Sequence, residues 1–334
     1  DCFLYDGQWE PARELTEVIT VRDSPPVTKT IRFSRNGPVV DEILPPPANT
    51  TGPVSLKWVG AYQGGWLTAL LAMDRAANVD EFKEALRPWH VPTFVLVFAD
   101  TAGRIGFQSS GRIPVRQTSE RGYRPGWDPD QQWQGFIPFE EMPGVIEPAR
   151  GWIASANNRL APDDYPIPLS GTWGSGWRGQ RIRQMIESHE KLSPSDIGKM
   201  QQDSVSLRAA DVVRHLLSLL ESETDKRVRE AANHLQAWDF RSEPDSVATT
   251  LFNVFYTGWC RTVADERFDE TTAEFLAGGC GGCAGRLLES DPAGWFANGD
   301  REQKIQSTFD AALEMLTACL GPEMSEWTWD KLHR

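Results

Sequence analysis

One stretch limits the fold more than any other. Residues 93–110 read TFVLVFA, then Asp100-Thr101-Ala102-Gly103, then RIGFQSS. An apolar run, a turn signal and a returning run predict a β-hairpin. Side chains alternate along a strand, so Phe94, Leu96 and Phe98 share one face and Val95, Val97 and Ala99 the other. Both faces are apolar, which predicts burial on both sides in a central sheet covered by a layer on each face. A chain of 334 residues is long enough to supply those layers.

Composition narrows the partners. Lys and Arg number 34 against 47 Asp and Glu, a net charge of −13. Such an acidic chain is poorly suited to gathering a phosphate backbone, so no nucleic acid partner is expected. Apolar runs such as residues 94–99 fall far short of the roughly 20 residues a membrane helix needs, so no membrane partner is expected either. No basic-then-apolar leader opens the chain. It begins at Asp1 without Met and stops just after an apolar-periodic stretch, which reads as an excerpt from a longer polypeptide.

The first half reads as strands and turns. Asp6-Gly7 sits between aromatic residues as a hairpin turn, and strands are expected at 15–22 and 28–34 around a Pro25-Pro26 break. A proline-rich loop covers 41–54, and extended structure resumes at 55–62. A helical pair is expected at 65–88, with Trp66, Leu70 and Met73 at helical spacing. Asn78 is its N-cap, Glu81 lies three residues on, and Pro88 ends it. Residues 112–150 read as a long loop, and 151–160 as a strand running into a polar turn. The second half is helical. An amphipathic helix follows Trp177, and Ser193 caps the next, with Pro194 at its first position and Asp196 in the capping-box slot. Helical spacing continues over 207–221, 225–237, 245–266 and 301–320. Two regions are therefore expected, a β-rich one over 1–176 with the short helical pair at 65–88, and a mainly helical one over 177–334.

Few residues declare chemistry by themselves. The histidines (90, 189, 215, 234 and 333) are scattered, with no partner at metal-ligand spacing. The five cysteines define neither a disulfide framework nor a four-ligand zinc site. Cys280-Gly281-Gly282-Cys283 has redox spacing, but helical character precedes it where a redox motif would have a strand. It reads as a local disulfide or as a Gly-rich helix break. No Ser stands in a Gly-x-Ser-x-Gly elbow. The carboxylate pairs Asp163-Asp164 and Glu140-Glu141 read as solvated loop surface, and the fourteen tryptophans chiefly as core. Asn157-Asn158 reads as a turn, or as a side-chain amide aimed at a developing oxyanion.

Taken in order, several segments resemble the penicillin amidase family. They are YDGQWEP, the Arg35-to-Val40 run, LKWVGAY, ALLAMDRAANVDEFKEAL and VPTFVLVFADTAGRIGFQSSGRIPVR, followed by PGWD, GFIPFEEMP, ARGWIASANNRLAPDDYP, WRGQRIRQMI and MQQDSVSLRA. The resemblance implies an α+β chain, part of an αββα N-terminal nucleophile hydrolase sandwich with a large helical insertion. It implies amide hydrolysis by an N-terminal Ser whose own α-amine is the general base, passing through an acyl-enzyme. Within this sequence Asn157 matches the family's oxyanion Asn, Arg178 an Arg that supports the catalytic centre, and Phe94 a position lining the acyl pocket. Phe94 is larger than the aliphatic residue of the penicillin acylases, and Asn158 matches a structural turn residue.

The Ser, its amine, the backbone oxyanion donor and the partner small subunit of the same precursor would lie outside these residues, so the chain alone is expected to be inactive and poorly soluble. No cofactor is implied. Calcium binding is not carried over, because DDYPIPL offers no clear Asp match. Relatives cleave penicillins, glutaryl-cephalosporins, acyl-homoserine lactones or cyclic lipopeptides, so the partner is a small acylated amine. Export to the periplasm or beyond is expected. A non-catalytic scaffold or binding version of the fold is the alternative.

Overall fold

A computed structural model describes the chain except for residues 62, 63, 118–121, 163, 168, 170–172, 222 and 334. It divides into two compact units, Asp1–Gly174 and Ser175–Arg334.

The first unit opens with the hairpin β1 (Cys2–Tyr5) and β2 (Gln8–Pro11). Asp6 and Gly7 both take positive φ, 49° and 72°, as a two-residue turn matched to strand twist requires. β3 (Arg13–Ile19) pairs antiparallel with β4 (Val27–Ser34), Arg13 opposite Phe33 and Ile19 opposite Val27. β5 (Gly37–Pro38) folds back on β4 across the Arg35-Asn36 turn. The expected extended stretch at 55–62 is reduced to one bridge between Ser55 and Val39, after which Val59–Ala61 turns into a short 3-10 helix. Tyr62 lies outside the described residues.

Helix α1 (Trp66–Met73) and helix α2 (Val79–Ala85) follow. The Asn78 Oδ1 accepts from the Asp80 and Glu81 N–H groups at 3.1 and 2.9 Å, satisfying two donors that α2 leaves open. The Glu81 carboxylate reaches back to the Ala77 N–H and the Asn78 side chain. In α1 the buried residue is Ala69, while Trp66 and Leu70 remain exposed despite their helical spacing.

The expected hairpin forms β6 (Val95–Ala99) and β7 (Ile105–Ser109), Val95 opposite Ser109, and β8 (Gly144–Ile146) joins β7 on its other side. Ala69, Val79, Leu86, Trp89 and Phe98 form one buried cluster, with the rings of Phe82 and Phe98 4.8 Å apart. Gly106 lets Phe98 lie across the hairpin: a β-carbon there would sit 2.6 Å from both the Phe98 ring and Ile146 Cδ1. The expectation of burial on both faces is corrected. Among the described residues β6 is an edge strand, its Phe98 face is packed, and Val97 on the opposite face is 52% exposed. Apolarity of a strand signals fitness for burial, not the presence of a covering layer.

The second unit is helical: α3 (Trp177–Glu187), α4 (Pro194–Gln201), α5 (Leu207–Leu220), α6 (Lys226–Gln236), α7 (Val247–Asp265), α8 (Glu270–Ala277), α9 (Gly281–Glu289), α10 (Arg301–Leu320) and α11 (Trp329–Leu332). Ser193, Ser206, Asp225, Ser246 and Asp269 each cap a helix start with a side-chain oxygen. At Ser193 the reciprocal bonds with Asp196 complete a capping box. α7 is the spine of the core. Its Leu251, Phe252, Phe255, Trp259 and Val263 are buried at helical spacing among residues of α5, α6, α9 and α10. Each such side chain contributes about 1.5–3 kcal/mol relative to exposure. Among the described residues no helix is long and apolar enough to cross a membrane.

Candidate active site

Phe94 stands immediately before β6. Its N–H donates to Ser110 Oγ at 3.2 Å and its carbonyl accepts from the Ser110 N–H at 2.9 Å, which fixes the backbone across the hairpin. Its ring is 51% exposed and meets Trp89 edge-on at 5.9 Å.

Residues 151–160 do not form the expected strand. A strand exists only as a member of a ladder, and none of the described strands pairs with 152–155. The segment instead bends at 156–158. Asn158 folds the bend, its Oδ1 accepting from the Ala156 N–H at 2.9 Å and its Nδ2 donating to the Arg159 carbonyl at 3.0 Å. Asn157 at the apex is exposed and left-handed, with φ 57°, and its carbonyl accepts from the Gly174 N–H at 2.7 Å. Asparagine tolerates that conformation better than any side-chain-bearing residue except aspartate.

The immediate neighbours of Phe94 and Asn157 meet at one hollow of about 140 Å³. Val95 and Phe107 of the hairpin form one part of its wall, Ile153 to Ser155 and Asn158 to Leu160 the other, with Arg150 at the same rim. The Arg150 guanidinium stacks 4.3 Å from the Trp152 ring and donates to its carbonyl. Arg150, Ser155 and Arg159 were not singled out by motif; only their closeness to Asn157 along the chain offered a signal.

Arg178 belongs to the second unit, as the second residue of α3, and is exposed. Trp177 beside it donates its indole N–H to Asp211 at 2.7 Å, and Arg181 one turn on is paired with Asp203. Of the carboxylate pairs, Glu140 binds Arg87 at the surface, Asp164 is exposed, and Asp163 lies outside the described residues. Among the described residues no three His, Cys, Asp or Glu side chains converge as a metal site would require. The cysteines are all free thiols, so the Cys280–Cys283 motif is a Gly-rich break at the start of α9 and not a local disulfide.

Several known proteins are similar to this chain. The acyl-homoserine lactone acylase QuiP of Pseudomonas syringae pv. tomato is 27% identical over 358 aligned residues, covering 99% of this chain and 43% of the relative. Penicillin acylase 2 proenzyme of a Pseudomonas species is 28% identical over 94% of this chain and 41% of its own length. The chain thus spans less than half the length of the curated relatives it matches. Among solved structures, a thermostable penicillin G acylase from Alcaligenes faecalis superposes with a TM-score of 0.76 at 20% identity, over 98% of this chain and 64% of that one. The mixed helix-and-sheet fold is therefore shared with that penicillin G acylase. The family model described as penicillin amidase matches residues 1–334, and the chain belongs to that family.

Proposed function

We propose that this chain carries the oxyanion-binding and acyl-binding parts of an amide hydrolase that separates an acyl group from an amine. The observation that carries the reading is the family match over residues 1–334, together with relatives named as acylases. In the proposed reaction an N-terminal Ser, outside these 334 residues, attacks the amide carbonyl with its own α-amine as base. The Asn157 carboxamide donates to the oxyanion of the tetrahedral intermediate, the amine leaves, and water releases the acyl-enzyme. Arg178 supports the geometry of the centre and its maturation, and Phe94 shapes the acyl pocket. The chemistry needs no organic cofactor, because the amine moves the proton. The protein pairs with a small subunit from its own precursor and works in the periplasm or outside the cell.

The left-handed backbone of Asn157 supplies a clean test. In the full-length precursor, Asn157→Gly removes the donor and keeps a residue suited to φ 57°. Turnover is expected to fall about a hundred- to a thousand-fold, with the melting temperature unchanged. A near-normal rate in Asn157→Gly would return Asn157 to a turn role and overturn the assignment. The 334-residue chain alone is expected to show no turnover; measurable hydrolysis by it would place the nucleophile inside these residues.

A further inference from the structure

Helix α7 and helix α9 approach closely where Gly285 faces Tyr256. A β-carbon on Gly281 would lie 3.9 Å from the Tyr256 ring, and one on Gly285 3.0 Å from its hydroxyl. The Tyr256 hydroxyl donates to the Gly281 carbonyl, and the Trp259 indole N–H donates to the Ala284 carbonyl at 2.8 Å. This register sets Cys260 of α7 against Cys280 at the N-cap of α9. The Cys280 Sγ lies 3.2 Å from the Cys260 carbonyl oxygen and 3.3 Å from that of Ala277. Cys260 is buried and Cys280 is half-buried.

We propose that Cys260 and Cys280 are an oxidisable dithiol, a disulfide-forming site that takes small organic disulfides as its oxidant and ties α7 to the α8–α9 junction. Interaction with the Cys260 side chain brings the Cys280 pKa down to about 7, helped by a backbone N–H, while the same interaction and burial hold that of Cys260 up. Cys280 is therefore the attacking sulfur at neutral pH. Its thiolate attacks one sulfur of the oxidant, forming a mixed disulfide and expelling one thiolate. The Cys260 sulfur, losing its proton, then attacks Cys280 Sγ and expels the second. Two protein thiols and one small disulfide become one protein disulfide and two small thiols, with two electrons passing to the oxidant. The second displacement is intramolecular, so burial of Cys260 does not obstruct it.

The test treats the native full-length protein with glutathione disulfide, quenches with acid, alkylates and maps the peptides by mass spectrometry. The expected product joins Cys260 to Cys280 and leaves Cys283 alkylated. A Cys280–Cys283 link, or Cys280 carrying glutathione beside an alkylated Cys260, would overturn the assignment. Cys283→Ser is expected to form the same bond, and its loss in a variant that melts as the parent does would also sink the proposal.

Discussion

Arg181 and Asp203 form a two-pronged ion pair, Nε to Oδ2 and Nη2 to Oδ1, both at 2.7 Å. The Asp203 side chain is 10% exposed, so the pair is shielded from water where α3 meets the α4–α5 connection. The hydrogen bonds from Arg181 hold the Asp203 carboxyl below its ordinary range, against burial, which pushes it up. Bidentate Arg–carboxylate pairs are among the stronger polar contacts.

Asp203→Asn is expected to cost about 1.5–3 kcal/mol at pH 7, the range for hydrogen bonds to charged groups. A carboxylate whose folded pKa is depressed stabilises the fold above its unfolded pKa, near 3.9, and loses that contribution as pH falls through the folded value. Urea titrations of both proteins should show the gap at neutral pH and its closure below about pH 4. A gap independent of pH would remove the charge from the explanation.

Asn78→Ala strips the acceptor from the first turn of α2 and should destabilise the first unit by about 1 kcal/mol. Asn78→Ser keeps an acceptor without setting a second carboxylate against Glu81, and is expected to lose less than Asn78→Ala. Thermal melts of the two variants side by side make the comparison, and equal losses would show that the cap bond contributes nothing.

Gly106→Ala places a methyl group 2.6 Å from the Phe98 ring and Ile146 Cδ1. Overpacking of this kind costs about 1–3 kcal/mol. Adding Ile146→Val, which removes the crowding methyl, should return part of that loss, a non-additivity measurable in a double-mutant cycle. Strict additivity would mean that Ile146 yields freely.

Phe94→Leu should alter which acyl chains are cleaved while leaving stability within about 0.5 kcal/mol, since the ring is half exposed. Competition between short and long acyl amides in the full-length enzyme reads the first effect, and a denaturant midpoint the second. Unchanged acyl preference would take Phe94 out of the pocket.

What was legible in the sequence was local. The Asp6-Gly7 turn, the Asn78 cap and the Ser193–Asp196 box each depend on residues within a few positions, and each stands where the sequence put it. The 93–110 hairpin was equally plain, but the exposure of Val97 was not, because what covers a strand is decided by distant chain. The same holds for 151–160, whose composition suits a strand that no described strand pairs with. Nor could spacing have matched Cys260 with Cys280, since that contact is made by the packing of α7 against the start of α9. Family resemblance selected Phe94, Asn157 and Arg178, and it gave no reason to look at Arg150 or Arg159, which line the hollow.

The positive φ of Asn157 acts as a filter on the genetic code. Glycine, asparagine and aspartate sit there at the least steric cost. Glycine carries no side chain, and ionised aspartate can only accept. A saturation library at this codon, sorted for folding, should therefore be enriched in three letters, and sorted for hydrolysis, in one.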